Sequence, residues 1–251
     1  MMAFFKLLTK SLAILLIALL SACSSIPELE DNVEKPRVKL SSVYEEKAVT
    51  NQYDDPWEGF NRRMYYFNAK ADEYVLLPIV AGYKALTPDL VEKGISNFFK
   101  NLGEFPVFIN AILQGKPSVA SETLGRFAVN TTVGVLGLFD VATSIGLVEQ
   151  NEDFGQTLGV WGVNPGPYLV LPLLGPSSLR DAAGTSIDMF ALQVVIDELG
   201  MTAEEEMFLS LLGSINTRAN LPFRYYASGS AFEYERFKVL YMKYREIQIA
   251  R

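Results

Sequence analysis

This 251-residue chain contains no histidine, one cysteine and no alternation of apolar and polar residues long enough to build a sheet. Without histidine, Ser-His-Asp triads and histidine-ligated zinc sites are excluded, and the commonest acid–base residue is missing. A single cysteine has no partner for an internal disulfide. Neither Gly-x-Ser-x-Gly nor Ser-x-x-Lys occurs, so two frequent serine-hydrolase signatures are absent as well. Basic residues are scarce, 22 against 29 acidic ones, for a formal charge of −7. An acidic chain is poorly suited to phosphate backbones, which argues against nucleic acid, and to recruitment by anionic headgroups. Any attachment of the body to a membrane must be apolar.

What is present begins with an address. Lys6 and Lys10 precede the apolar run Leu12 to Leu20, then Ser21, Ala22 and Cys23. That is the layout of a secretory signal peptide, and the run is shorter than the about 20 residues that span a bilayer. Leu20-Ser21-Ala22-Cys23 resembles the lipobox of bacterial lipoproteins. The resemblance implies cleavage before Cys23, with diacylglycerol and an N-acyl chain on that residue. By the same resemblance to lipoproteins, Ser24 in place of Asp implies onward transport to the outer membrane. Cleavage removes two lysines and no acids, taking the formal charge from −7 to −9. Residues 24–52 are polar, carry Pro27 and Pro36, and hold no period. The expected organisation is a signal peptide over 1–22, a lipidated N-terminus and flexible tether over 23–52, and a helical domain over 53–251.

The domain reads as helices. Asp55, Pro56 and Glu58 form a start signal with a capping box. Phe60, Met64, Phe67, Ala71 and Tyr74 then recur at helical spacing up to a stop at Pro78. Thr87 and Pro88 open a second helix with Val91, Ile95, Phe98 and Phe99 on one face, and a short apolar helix covers Val107 to Gln114. Gly115 and Pro117 mark a stop. In the next helix Ala120, Leu124, Phe127, Ala128 and Thr131 share a side, with Glu122, Arg126 and Asn130 opposite. Glu122 and Arg126 are one turn apart and able to pair. Ile187 to Leu199 closes at Gly200. Thr202 and Glu205 cap Met201 to Leu212, closed by Gly213. Ser230 and Glu233 cap a last helix with Phe237, Leu240, Tyr241, Tyr244 and Ile247 on one face. The class is all-α.

Between Thr132 and Gly184 glycine and proline are dense. Asn164-Pro165-Gly166 between apolar arms predicts a hairpin-like loop. Such a loop either packs a core or lines an apolar passage, and composition leaves both open. Asn151, Asp153 and Gly155 echo a calcium loop with incomplete spacing, so no metal is assigned.

An ordered set of motifs resembles the VacJ/MlaA lipoprotein family. It opens with Asp55-Pro56-Trp57-Glu58-Gly59-Phe60-Asn61-Arg62, running on through Met64 to Phe67-Asn68. It continues with Asn97-Phe98-Phe99, Leu113-Gln114-Gly115 and Arg126-Phe127 with Asn130-Thr131. Phe154-Gly155-Gln156-Thr157-Leu158-Gly159, Gly166-Pro167-Tyr168, Gly175-Pro176-Ser177 and Arg180-Asp181 complete it. The resemblance implies a ring-like helical body embedded in one leaflet, the periplasmic leaflet of the outer membrane. It implies an amphipathic channel that hands misplaced outer-leaflet phospholipid to a periplasmic carrier, no enzyme activity, no cofactor and trimeric porins as partners. By the same resemblance the loop of Gly162, Val163, Asn164, Pro165 and Gly166 lies beside the channel; Met64 either opposes it as a gate or is a core methionine. Asn164 stands where some relatives carry glycine. Arg62, Arg63, Arg126, Arg180 and Asp181 are either headgroup ligands or ion-pair and cap residues. The rival functions are a membrane-bound lipase and a structural adaptor that organises porins without moving lipid.

Overall fold

The structure is a computed structural model, and it describes residues 53–251. The expected cleavage and acylation at Cys23, and the tether, lie outside the described residues. Helix α1 (Glu58–Ala71) runs through a π-helical turn (Asp72–Leu76) into α2 (Leu77–Leu86). Then come α3 (Asp89–Leu113), α4 (Pro117–Thr132), and the short α5 (Val141–Ser144) and α6 (Phe154–Val160). Strands β1 (Tyr168–Leu171) and β2 (Gly175–Ser178) follow, then α7 (Leu179–Asp197), α8 (Ala203–Asn220) and α9 (Glu233–Ala250).

The all-α expectation is corrected in one place: β1 and β2 form a two-stranded antiparallel sheet in which Tyr168 faces Ser178. Four-residue strands are too short to show a period of 2. The turn of this hairpin is at Pro172–Leu174, so the turn signal at Asn164-Pro165-Gly166 does not make it. Residues 161–167 are an irregular loop before β1. The outer edge of β1 is held by side chains of α1. Asn61 donates to the carbonyl of Tyr168 at 3.0 Å and accepts from the amide of Val170 at 2.8 Å. Two turns later Asn68 repeats the pattern on Leu171 and Leu173. Two carboxamides thus supply what a third strand's backbone would supply, and satisfy buried groups that are otherwise costly.

Several expected boundaries move. Asp55 does not cap α1, because its carboxylate accepts from Asn61 and from the hydroxyl of Tyr234, and lies 3.6 Å from Lys238. Pro78 does not stop the helix, because it sits in the first turn of α2, just after the π turn resets the ladder. Thr87 ends α2 and Pro88 takes the N-cap of α3, which fuses two predicted helices around the internal Pro106. Helix α7 starts at Leu179, well before Ile187, with Ser178 accepting the amide of Asp181. Gly213 lies inside α8, where a Cβ would come within 2.9 Å of the Phe99 ring; the glycine marks a close packing, not a stop. The capping box of Thr202 and Glu205 forms as read, and Gly115 ends α3 at φ +70°. Ser230 and Glu233 form no such box; Glu233 is engaged elsewhere.

The largest departure is in the faces. Along α1 and the π turn the buried row is Asn61, Tyr65, Asn68 and Asp72, while Phe60, Phe67 and Tyr74 are exposed. On α4 Thr123, Arg126 and Asn130 are buried and Leu124 is exposed. On α9 Lys238, Arg245 and Gln248 are buried, and Leu240, Tyr244 and Ile247 stand more than half exposed. The apolar cluster inside is small and mostly aromatic: Tyr65, Tyr168, Val170, Tyr234 and Met242, with Met64, Phe237 and Tyr241 packed against it. Its rings meet edge to face, as for Tyr65 and Tyr234 at 5.8 Å.

Candidate functional site

The apolar residues outside form built surfaces. Thr132 leads into a loop that exposes Val133, Val135, Leu136, Leu138 and Phe139. Val135 and Leu136 take positive φ, 53° and 58°, a region that disfavours side chains and persists only under constraint. The constraint is visible. The amide of Gly137 donates to the carbonyl of Asn130 at 2.8 Å, Asn97 donates to the carbonyl of Leu138, and the Asn130 carboxamide bridges Asp140 and the amide of Ala142. This apolar loop is held out by a polar frame beneath it. Helix α7 likewise exposes Ile187, Met189, Phe190 and Val194. Contiguous apolar surface of this kind marks an interaction site. Among the described residues no helix is long and apolar enough to cross a membrane.

Inside, charges are paired in networks. Arg126, 1 % exposed, donates to Glu104 at 2.6 Å, to Thr143 and to the carbonyl of Leu147. Burial pushes Glu104 above the usual carboxylate range, and Arg126 offsets only part of that. The second oxygen of Glu104 is buried without a partner. Arg245 donates to Asp153 at 2.6 Å and to Asp181 at 3.0 Å, and Arg180 also grips Asp181. Burial alone would raise Asp153 and Asp181; the hydrogen bonds and charge of Arg245 outweigh it and hold both below the usual range. Asp188, bonded to Asn110 and to the amide of Phe154, is raised mainly by burial.

These networks decide the charged candidates. Arg126, Arg180 and Asp181 are interior ion-pair residues, and Arg126 pairs with Glu104, not with Glu122, which accepts from the amide of Val148. Arg62 pairs with Glu58 and Glu235 and lies over the Tyr234 ring. Arg63 is exposed. Asp153, part of the calcium-loop echo, spends its carboxylate on Arg245 and Gln156.

The channel candidates lie in two places. Met64 packs against the aromatic cluster. The loop of Gly162, Val163, Asn164, Pro165 and Gly166 is exposed apart from half-buried Pro165, and hangs between α6 and α7. The amide of Val163 donates to Leu158, the amide of Arg180 to Pro165, and the Arg180 side chain to Val163. Trp161, at the head of the loop, donates to the carbonyl of Leu113. Gly162 sits at φ +88° with open space around it. Between the start of α3 and the end of α8 lies a polar groove of about 280 Å³, lined by Asp89, Glu92, Lys93, Ser96, Asn97 and Asn220 and flanked by exposed Leu90 and Val91. Sequence reasoning missed the buried polar rows. Their signal is Asn61, Asn68 and Asp72 at helical spacing, parallel to the apolar row.

The family model for the MlaA lipoprotein matches residues 53–248. An uncharacterised protein of Rickettsia conorii is 41 % identical over 138 residues, 55 % of each chain. The intermembrane phospholipid transport system lipoprotein MlaA of Escherichia coli is 41 % identical over 140 residues, 54 % of this chain and 56 % of that one. The chain spans about half the length of these curated relatives in the matched stretch. A solved chain, from work headed "Structural basis for maintenance of bacterial outer membrane lipid asymmetry", superposes with a TM-score of 0.64 at 32 % identity, over 78 % of this chain and 99 % of that one. With a family match over most of its length, the chain belongs to the MlaA lipoprotein family and, with it, to the outer membrane.

Proposed function

We propose that this lipoprotein takes mislocalised phospholipid from the outer leaflet of the outer membrane and passes it to a periplasmic carrier, so maintaining lipid asymmetry. The observation that carries this reading is the inversion of its helices: polar rows inside, apolar rows outside. Such a body rests in acyl chains at little cost, whereas in water its exposed faces are a liability. In this reading the body sits in one leaflet; no described helix is long and apolar enough to cross a membrane. Transport also needs a wet route for the headgroup, and the groove beside Asn97 and Asn220 is polar where the neighbouring helix surface is apolar. In this reading the loop from Gly162 to Gly166 controls passage, with Gly162, at φ +88°, supplying the backbone freedom. No bond is made or broken. Porin trimers and the periplasmic carrier are the partners this reading requires.

The test is a photo-activatable phospholipid added to vesicles carrying the full lipoprotein. Labelling of the Gly162–Gly166 loop and of the groove supports transport. Labelling confined to outer apolar faces such as Leu240 and Ile247, with transfer to the carrier absent, sinks it and leaves the adaptor.

A further inference from the structure

At the start of α9 a cavity of about 80 Å³ is lined by Arg62, Tyr65, Tyr226, Glu233 and Tyr234, with Ser230 and Ala231 completing it. Its walls are aromatic: Tyr65 meets Tyr226 at 5.5 Å and Tyr234 at 5.8 Å, both edge to face. Glu233, 2 % exposed, lies in this wall. Its acceptors are filled by neutral donors: the Tyr65 hydroxyl at 2.6 Å, the amide of Tyr226 at 2.5 Å, and the amide and hydroxyl of Ser228. Burial works against the charge, but these bonds win and hold the carboxyl below its usual range. Arg62, the lining cation, is shared between Glu58 and Glu235, and the second oxygen of Glu235 is buried without a partner. Around the lining, Glu233 with the Glu58 and Glu235 that pair Arg62 outnumber that one cation, which covers a face of Tyr234 and leaves the Tyr65 and Tyr226 rings to the cavity; an acidic, aromatic setting attracts an organic ammonium.

We propose that this cavity holds the ammonium end of a zwitterionic phospholipid headgroup, with the phosphate lying toward Arg62. The proposal rests on the phospholipid reading above and adds a headgroup preference to it. A cavity of this size suits a primary ammonium on its methylene, so ethanolamine is the fitting headgroup; glycerol headgroups bring no cation. A lipid source is favoured by what surrounds the mouth. Tyr226 is half exposed and within electrostatic reach of Tyr66 and Lys70. Lys70 lies over the exposed rings of Tyr66 and Tyr74, at 5.8 and 5.1 Å. Tyrosine and lysine together are the residues that settle at the level of headgroups.

The experiment titrates the full lipoprotein in detergent micelles with dihexanoyl phosphatidylethanolamine and dihexanoyl phosphatidylglycerol, reading tyrosine ring shifts by NMR. The ethanolamine lipid binds roughly fivefold more tightly, the size of one partly desolvated cation–aromatic contact. Tyr226→Leu and Glu233→Gln abolish the preference; Tyr226→Phe keeps it. Tyr226 is exposed enough that its variants fold even where Glu233→Gln does not. Equal affinities in the native chain, or a preference that survives Tyr226→Leu, overturn the proposal. So does tail-free O-phosphoethanolamine competing as well as the lipid, which assigns the cavity to soluble amines. Absence of binding by either lipid overturns this proposal and the transport reading together; a clear preference without transfer between vesicles overturns transport alone.

Discussion

The side-chain oxygen of Asn68 accepts the backbone amide of Leu173 at 2.7 Å, and that bond pins a leucine whose φ is +62°. The same carboxamide donates to Leu171 at 2.9 Å, so one residue of α1 fixes both sides of the hairpin tip. Asn68→Ala leaves two backbone groups short of partners and releases a strained turn. The expected loss is about 1–3 kcal/mol, read as a lower urea midpoint in micelles. Hydrogen exchange at Leu173 should rise sharply in the same variant. Asn68→Asp separates the two bonds: it keeps the acceptor for Leu173 and loses the donor to Leu171, so Leu173 stays more protected than in Asn68→Ala.

Arg126 and Glu104 form the most enclosed ion pair in the α3–α4 layer, and the pair is asymmetric in its consequences. Arg126→Leu strands a buried carboxylate and should cost about 3–5 kcal/mol. Adding Glu104→Leu removes the stranded charge, and the double variant should recover most of that loss. A double-mutant cycle by chemical denaturation in micelles checks this; equal and additive losses would contradict it.

Helix content was legible in the sequence because apolar periodicity, Thr202 with Glu205, and Gly115 are local signals. Which face turns inward was not. Periodicity locates two opposite stripes and the rule that apolar goes inside chooses between them. Here Asn61, Arg126 and Arg245 find partners on other elements, at Val170, Glu104 and Asp153, which no local pattern reveals. Asp55 and Glu233 were misread for the same reason: a carboxylate near a helix start reads as a cap until Tyr234 or Tyr65 claims it. The loop at Gly162 was found by its glycine and proline content, but the hairpin that follows is defined by Asn61 and Asn68 more than a hundred residues earlier.

Stability should depend on pH with a maximum near the ordinary carboxylate range. Glu104 and Asp188 are raised, chiefly by burial. Between their unfolded and folded values the native state binds more protons, so stability falls as pH rises through that window. Asp153 and Asp181 are lowered, since Arg245 outweighs their burial. Their contribution is present above the unfolded value and is lost as pH falls through the lowered ones. Urea midpoints across pH in micelles should show both limbs. Glu104→Gln should flatten the limb above the maximum and leave the acid limb in place.

Gly162 supplies the sharpest test of the loop. At φ +88° with nothing within 4 Å, an added methyl meets no neighbour and acts through backbone strain alone. Gly162→Ala should cost about 1–2 kcal/mol locally, visible as faster exchange at Val163 with little change in the global midpoint. If the loop gates lipid, transfer to the carrier changes severalfold in this variant while membrane binding stays constant.

The exposed row of α9 separates a membrane-embedded body from a merely anchored one. Leu240 is 63 % and Ile247 62 % exposed, so neither contributes to the packed interior. Replacing both by Glu should leave the unfolding midpoint in micelles within error, because no packed contact is lost. In a leaflet each apolar side chain contributes roughly 1.5–3 kcal/mol, and a charge in its place adds a desolvation penalty. A chain with Cys23→Ala, exported behind a soluble signal peptide, removes the lipid anchor from the measurement. That chain should float with vesicles, and the Leu240→Glu, Ile247→Glu form of it should remain in the aqueous fraction. Equal flotation of the two would mean that α9 faces water and that attachment lies elsewhere. Loss of folding in the double variant would mean that the row packs against a partner rather than against acyl chains.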